Sequence, residues 1–396
     1  MKLGENIIAE SGLSPFFKVA NPSAVGLEPP TIRHGEAVRT WVRSLSGFQK
    51  EALVVSARSG AMWRLVSDEG AYLSGHDAAP CPLAFLTTGM ISSYMNEITA
   101  LANQQGVTLN RLKLIQNNYY TMKGSMRKRT MVGGALPVEL EVEVDCDLDD
   151  AALNQLLMNA VHASPLNGLM RGVLPSLFTL TRNGDQISTG EATALEGDVV
   201  TDPEGAPPEA VPTDLTLIER HGLSPVKKVT KGTAAAASSL TDEQDRTLNP
   251  AAICTLREDG IKEIEQHLYS PHGSIFRFLS EEAPEAGGQG RAPDAVSYIS
   301  AGIGFCFMTQ FGRMASMEKL DLPSYSIVQD THFSLGGASG GTGEAGSADP
   351  VETHVHLQTS EGDDVARDML DVSEQTCFLH AFCRTDLKTK LKVTRV

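Results

Sequence analysis

The chain is short of positive charge. Lys and Arg number 33 against 49 Asp and Glu, a formal net charge of −16 over 396 residues. Non-specific nucleic-acid binding needs a cationic excess to displace counterions, and docking on an anionic membrane needs the same, so neither is expected. Long apolar runs are lacking too. No segment approaches the ~20 unbroken apolar residues of a bilayer span. The opening Met1-Lys2-Leu3-Gly4-Glu5-Asn6 has no apolar stretch of the kind a secretory signal carries. Cysteine is sparse, and six in this length do not make a disulfide scaffold. There is no C-x-x-C, no G-x-G-x-x-G after a strand and no G-x-x-x-x-G-K-[ST], so nothing suggests a nucleotide cofactor. The only tight pair of metal-ligand type is His354 with His356, and no third ligand is evident. What the chain does have is bulk: 41% hydrophobic residues in a length sufficient for two or three domains. The expectation is a soluble, acidic, cytoplasmic protein with reduced thiols and no cofactor.

The length divides by an internal repeat. GLSPFFKV at Gly12 to Val19 recurs as GLSPVKKV at Gly222 to Val229, an offset of 210 residues, and further on the offset settles at 213. MWRLVSDE from Met62 faces IFRFLSEE from Ile275; Gly89 faces Gly302, Leu114-Ile115-Gln116 faces Ile327-Val328-Gln329, and Pro137-Val138-Glu139 faces Pro350-Val351-Glu352. One constant offset over more than a hundred residues implies two copies of one unit. Unit one spans residues 1–183 and unit two 215–396. The stretch 184–214, rich in Gly, Pro, Glu, Asp and Thr, reads as an exposed linker.

Each unit has the same pattern of periods. Ala52 to Ala57 with Ala61 to Val66, and Glu265 to Tyr269 with Ser274 to Leu279, read as paired strands. Pro82 to Gln104 and Pro293 to Met317 are long apolar segments of helical length, the first closed near Gly106. Glu139 to Asp145 and Glu352 to Gln358 alternate with the period of a half-buried strand, which places His354 and His356 on a solvent face. The tracts before them, Tyr120 to Pro137 and Leu335 to Pro350, read as loops or hairpin tips. Asp149 to Ala163 and Asp363 to Thr376 read as helices with acidic first turns, and Ser176 to Arg182 and Lys388 to Val396 as closing strands. The fold class is α+β, about β-β-β-α-β-β-α-β in each unit.

The repeat gives the cysteines meaning. Ser93 stands opposite Cys306 and Ser164 opposite Cys377, so unit one has hydroxyls at both places where unit two has thiols. Two thiols that are present or absent together suggest joint action; two buried cysteines packed as small apolar residues are the alternative. Cys81, Cys146, Cys254 and Cys383 have no thiol partner in the other unit and read as packing or surface residues, although Cys383 is close enough in sequence to compete with Cys377.

These strings resemble the OsmC/Ohr family of thiol-dependent peroxidases. AGIGFCF at Ala301 to Phe307 is similar to the family's Ala-Gly-Tyr-Ala-Ala-Cys-Phe stretch, which carries the peroxidatic cysteine. Cys377, just after the next helix, is similar to the resolving cysteine of the family's Cys-Pro-Tyr/Val-Ser motif. Pro82 to Leu86 and His162 to Leu166 look like the same two segments with Ser in place of Cys. The resemblance implies two interlocked units, here fused into a single-chain pseudo-dimer with one dithiol site. It also implies reduction of an organic hydroperoxide by Cys306, resolution by Cys377 and regeneration by an external dithiol. Further oligomerisation is left open.

The family places an Arg and a Glu beside its reactive thiol, to hold it as a thiolate. Val296 stands where the Glu is expected and Asp294 is nearby. Arg291 and Arg277 are candidates for the Arg, with Arg257 as a third. His380 and His272 are candidate bases. Two other readings remain: a hydrolase or lyase with Cys306 as sole nucleophile, and a duplicated scaffold that binds an apolar small molecule between its long helices.

Overall fold

A computed structural model describes residues 4–226 and 238–396. Met1 to Leu3, and Lys227 to Val229 at the end of the second GLSP copy, lie outside the described residues. The first half opens with helices α1 (Ile7–Glu10) and α2 (Pro22–Val25), with strand β1 (Phe17–Lys18) between them. Strands β2 (Glu36–Ser44), β3 (Lys50–Ser56) and β4 (Met62–Ser67) lead into helix α3 (Pro82–Gln104). Then come β5 (Arg111–Ser125), β6 (Val132–Asp145), α4 (Asp150–Ala163), α5 (Leu166–Arg171), β7 (Ser176–Arg182) and β8 (Asp185–Ile187). The second half runs β9 (Ile218–Leu223), β10 (Glu243–Leu256), β11 (Lys262–Ser270), β12 (Ser274–Ser280) and α6 (Ala295–Glu318). It ends with β13 (Ser324–Phe333), β14 (Val351–Gln358), α7 (Asp363–Thr376), α8 (Phe378–Cys383) and β15 (Thr389–Arg395).

This is a mixed α+β fold with two sheets, and each sheet draws strands from both halves. One runs β1-β4-β3-β2-β13-β14-β7-β8 and the other β15-β6-β5-β10-β11-β12-β9. The joins are equivalent: β2 meets β13 with Val42 opposite Ile327, and β5 meets β10 with Ile115 opposite Ile253. In both sheets the closing strand is parallel to its neighbour, β7 to β14 and β15 to β6. Neither half completes a sheet from its own strands.

The long helices lie between the sheets and cross each other. A helix apolar all round belongs in a core, and α6 is buried at nearly every position from Ala295 to Ala315. The repeated glycines make the crossing. A Cβ on Gly302 would lie 2.6 Å from the backbone nitrogen of Leu86, and one on Gly89 would lie 2.6 Å from the carbonyl oxygen of Ala295. Aromatic rings fill the space beside them, with Phe85 edge-on to Phe278 at 5.5 Å.

Five expectations change in detail. Each half has a further short strand, β1 or β9, and its second helix breaks into two. The first break falls at Ser164, extended at ψ 130°, where the following Pro165 disfavours helical backbone. The tract Tyr120 to Pro137 is mostly strand, because β10 extends far enough to pair β5 out to Ser125, opposite Glu243. In the other sheet β2 begins only at Glu36, opposite Phe333, so 334–350 is left as a loop. The segment 184–214, though largely exposed, is anchored on the first sheet: Val200 packs on the cluster containing Trp41 and Val328, and the Asp202 carboxylate accepts from Trp41 Nε1 at 3.0 Å. Finally, His354 is 4% exposed rather than on a solvent face, with Nδ1 2.9 Å from Thr179 Oγ1.

Candidate functional site

Cys306 lies midway along α6, and Cys377 lies at the junction of α7 and α8. The junction turns the chain back on α6: Cys377 is extended at φ −71° and ψ 120°, and α8 restarts at Phe378. That brings the Cys377 sulfur to 3.6 Å from the Cys306 sulfur. Both thiols are reduced and buried. A disulfide bond is ~2.05 Å long, so closure requires the sulfurs to approach by ~1.5 Å.

The hydroxyl pair of the other half has the same geometry. Ser93 lies on α3, Ser164 at the junction of α4 and α5, and their Oγ atoms are 2.7 Å apart. Cys306 and Ser93 each border a cavity, and the two cavities are lined by residues that correspond under the 213-residue offset. Glu69, Cys81, Thr309 and Gln310 line the thiol cavity, where Glu282, Asp294, Asn96 and Glu97 line the hydroxyl cavity. The thiol cavity holds about 30 Å³, room for about one water. The hydroxyl cavity holds about 140 Å³.

Their charges differ in sign. Carboxylates dominate the hydroxyl cavity, with Glu36, Glu97, Glu282, Glu285 and Asp294 against the single cation Arg58. The thiol cavity has two cations, Arg246 and Arg313, and one carboxylate, Glu69. Asp294 is replaced by Cys81 and Glu97 by Gln310, and Arg313 stands opposite Ala100. Glu69 accepts hydrogen bonds from Tyr72 Oη at 2.6 Å and from Thr309 Oγ1 at 3.1 Å.

Burial governs the titration of this region. It pushes the Cys306 thiol well up; the hydrogen bond from Cys377 adds to this, and the Leu379 backbone N–H opposes it. Burial pushes the Cys81 thiol up to about 12 and raises Glu69 against the pull of the Lys50 charge. Lys50, itself fully buried and lowered for that reason, donates to the Phe48 carbonyl at 2.5 Å. Burial lowers Arg246 to about 10. Burial lowers Arg313 to about 9, assisted by repulsion from Arg246. The cavity therefore stores cationic charge that the surrounding protein solvates poorly.

The other residues singled out from sequence are dispersed. Arg277 pairs with Glu219 at 2.9 Å and Arg291 with Glu281 at 2.6 Å; neither lines the thiol cavity. Arg257 pairs with Asp259 at 3.1 Å. Asp294 caps α6, accepting from the Ser297 N–H at 2.7 Å, and borders the hydroxyl cavity. Burial, with Glu282 and Glu36 close by, pushes its carboxyl up to about 7. His380 is enclosed by Phe307 at 4.6 Å and Phe178 at 5.6 Å, and burial lowers it to about 3. Neither ring nitrogen of His380 has a partner among the described residues, and the ring is outside the cavity lining. His272 Nε2 meets the Ser224 carbonyl at 2.6 Å. Cys383 is buried at the end of α8. The cations that line the cavity with Cys306 are thus not those expected. Arg313 was legible as a cation seven residues after Cys306 with Ala100 as its counterpart; Arg246 lies upstream, where the offset drifts.

Among the described residues no group of three or more His, Cys, Asp or Glu could hold a metal, and no helix is long and apolar enough to cross a membrane. No curated protein matches the chain. Among solved structures it is similar to an OsmC-like hydroperoxide resistance protein from Jannaschia sp. CCS1, at 22% identity and a TM-score of 0.20, covering 32% of this chain and 81% of that one. Residues 288–392, which hold both Cys306 and Cys377, match the family described as OsmC-like protein.

Proposed function

We propose that the chain is a thiol-dependent peroxidase that reduces organic hydroperoxides through a Cys306/Cys377 dithiol cycle. On this reading units 1–183 and 215–396, tethered by 184–214, form an interlocked pseudo-dimer with one competent site. The observation that carries it is the joint segregation of thiols and cations: the half with two sulfurs 3.6 Å apart also has Arg246 and Arg313, while the hydroxyl pair faces carboxylates. Cations in the lining favour a developing thiolate and carboxylates oppose it, while burial, Cys377 and Glu69 hold the resting Cys306 thiol well up. The OsmC-like match over 288–392 supports the same chemistry.

In the first step the Cys306 sulfur attacks the terminal peroxide oxygen. The O–O bond breaks, the leaving alkoxide takes up the thiol proton, and an alcohol and a Cys306 sulfenic acid result. Cys377 then attacks that sulfur; an S–S bond forms and the sulfenic hydroxyl leaves as water with the Cys377 proton. An external dithiol reduces the disulfide and becomes one itself. Stoichiometric hydroperoxide is expected to yield a Cys306–Cys377 disulfide in non-reduced peptide mass spectra, and Cys306→Ser to abolish turnover. Full turnover by Cys306→Ser would refute the reading. Turnover that needs Cys306 but survives Cys377→Ser would favour single-nucleophile hydrolase or lyase chemistry.

A further inference from the structure

We propose that Tyr120 serves the reacting thiol: its hydroxyl donates to the Cys306 sulfur as that sulfur becomes negative. The proposal rests on the peroxidase reading and adds a residue to its site. The 213-residue offset that sets Cys306 and Cys377 against Ser93 and Ser164 also sets Tyr120 against Phe333. Phe333 is fully buried and directly precedes Ser334 and Leu335 of the hydroxyl cavity. Tyr120, 1% exposed, stands behind the thiol cavity: Leu248 faces it across the ladder between β5 and β10, the Phe378 ring lies 6.0 Å from its own, and both line that cavity. The fold thus accepts a bare ring at this place. A buried hydroxyl that is not fully paired costs stability, yet one is present beside the thiols and absent beside the serines.

The hydroxyl is also oriented. Gln116, Asn118 and Tyr120 alternate along the buried face of β5. Gln116 Nε2 donates to Asn118 Oδ1 at 2.7 Å, and Asn118 Nδ2 donates to Tyr120 Oη at 3.2 Å and to Met90 Sδ at 3.0 Å. Since Tyr120 Oη accepts from Asn118, its own hydrogen points elsewhere, and among the described residues no hydrogen bond takes it up. The other half has no such chain: Gln329 Nε2 donates to the Ser300 carbonyl at 3.1 Å, Thr331 Oγ1 pairs with Ser300 Oγ at 2.7 Å, and Phe333 ends the row without a polar side-chain atom. Burial pushes the Tyr120 phenol well up against the Asn118 hydrogen bond, and negative charge on Cys306, Cys383 or Cys81 pushes it further. The group therefore stays a neutral donor while the thiols react. A resting thiol offers it a weak acceptor, and no hydrogen bond joins the two at rest; a thiolate offers a strong, charge-assisted one. Catalytic hydrogen bonds commonly tighten in this way only as charge develops.

The test is Tyr120→Phe, which copies Phe333 and removes a single oxygen. Alkylation of Cys306 by iodoacetamide, followed by peptide mapping from about pH 7 to pH 9, is expected to slow about tenfold at every pH with its slope kept, the lower end of what a hydrogen bond to a charged group is worth. The kcat/KM for tert-butyl hydroperoxide is expected to fall by a similar factor, and Tm to stay the same or rise. A tyrosine with a purely structural role would behave the other way: the variant would melt earlier, and a loosened core would expose Cys306 to faster alkylation. Equal alkylation rates in the two proteins overturn the proposal. Slower hydroperoxide turnover with alkylation unchanged overturns it as well, by assigning Tyr120 to the peroxide instead of the sulfur. Slower alkylation of the variant, where neither protein turns over hydroperoxide, refutes the peroxidase reading and still supports the hydroxyl as donor to Cys306.

Discussion

Oxidation should make the protein more stable, by an amount that follows from chain length and sulfur geometry. Cys306 and Cys377 are 71 residues apart in sequence. Closing a loop of that size removes unfolded-state entropy worth about 4 kcal/mol at 25 °C. Against this, the sulfurs start 3.6 Å apart and both side chains sit in a packed core. Drawing them to bonding distance turns each χ1 away from its rest position, at roughly 1 kcal/mol per side chain. The net expectation is stabilisation by about 2 kcal/mol. Urea unfolding of wild type, reduced and then oxidised with one equivalent of hydroperoxide, measures it, with Cys306→Ser/Cys377→Ser as the control that oxidation leaves unchanged. The interlocked sheets favour a single transition, since unfolding either half strips strands from both sheets. The same gain is expected when Ser93→Cys and Ser164→Cys are combined, because that pair is also 71 residues apart and 2.7 Å in contact. A verified Cys306–Cys377 disulfide that left stability unchanged or lower would refute the reasoning, by showing that closure strains the helix junction as much as it constrains the unfolded chain.

Other outcomes follow from single positions. Asp294 holds its proton to about pH 7 in the folded state, whereas an unfolded Asp releases it near pH 3.9. Folding therefore takes up a proton between these values, and stability falls as pH rises through that window by a few kcal/mol. Asp294→Asn, which keeps the helix cap, should flatten that slope and be more stable than wild type at pH 8. Gly302→Ala should lower stability by about 1–3 kcal/mol in thermal unfolding, because the new Cβ meets the Leu86 backbone at 2.6 Å and backbone cannot rotate aside. Alkylation of Cys306 should rise about tenfold per pH unit through pH 9, since burial holds its pKa above the usual thiol value. A plateau below pH 8, seen by peptide mapping, would contradict burial as the governing cause.

Periodicity carried the elements well. Pro82–Gln104, Asp363–Thr376 and Ser176–Arg182 coincide with the predicted segments; the first was marked by its apolar length and its close near Gly106, the second by its acidic first turn. Pairing partners were less legible. Strand β5 could continue to Ser125 only because β10, distant in sequence, supplies the neighbouring ladder, and no local pattern announces that. The site divided along the same line. Cys306 and Cys377 emerged from the offset, which is a property of the string. Arg277 and Arg291 were candidates for the Arg that the resemblance implies, yet each has a carboxylate across a strand or turn to satisfy it. Among the described residues Arg246 and Arg313 form no ion pair with a carboxylate, and that is visible only in space.

The asymmetry of the two cavities has a physical reading in the presence of both halves in one chain. In a symmetric dimer of identical chains, any substitution appears in both sites. A single chain with interlocked halves is free of that constraint: Cys306 can gain Arg313 on its own helix while Ser93 keeps Ala100. Sharing also crosses between halves, since Glu69, Tyr72 and Cys81 of the first half line the cavity of the second half's thiols, and Glu282, Glu285 and Asp294 of the second line the cavity of the first half's hydroxyls. Each cavity is thus assembled from both halves. Replacing the thiols alone would not convert one cavity into the other. A dithiol built at Ser93 and Ser164 would still face Glu97, Glu282 and Asp294, which oppose the negative charge a reacting sulfur must develop. Such a variant should form its disulfide with diamide yet turn over hydroperoxide far more slowly than the native pair, and Glu97→Gln should recover part of the rate by removing one of the opposing charges.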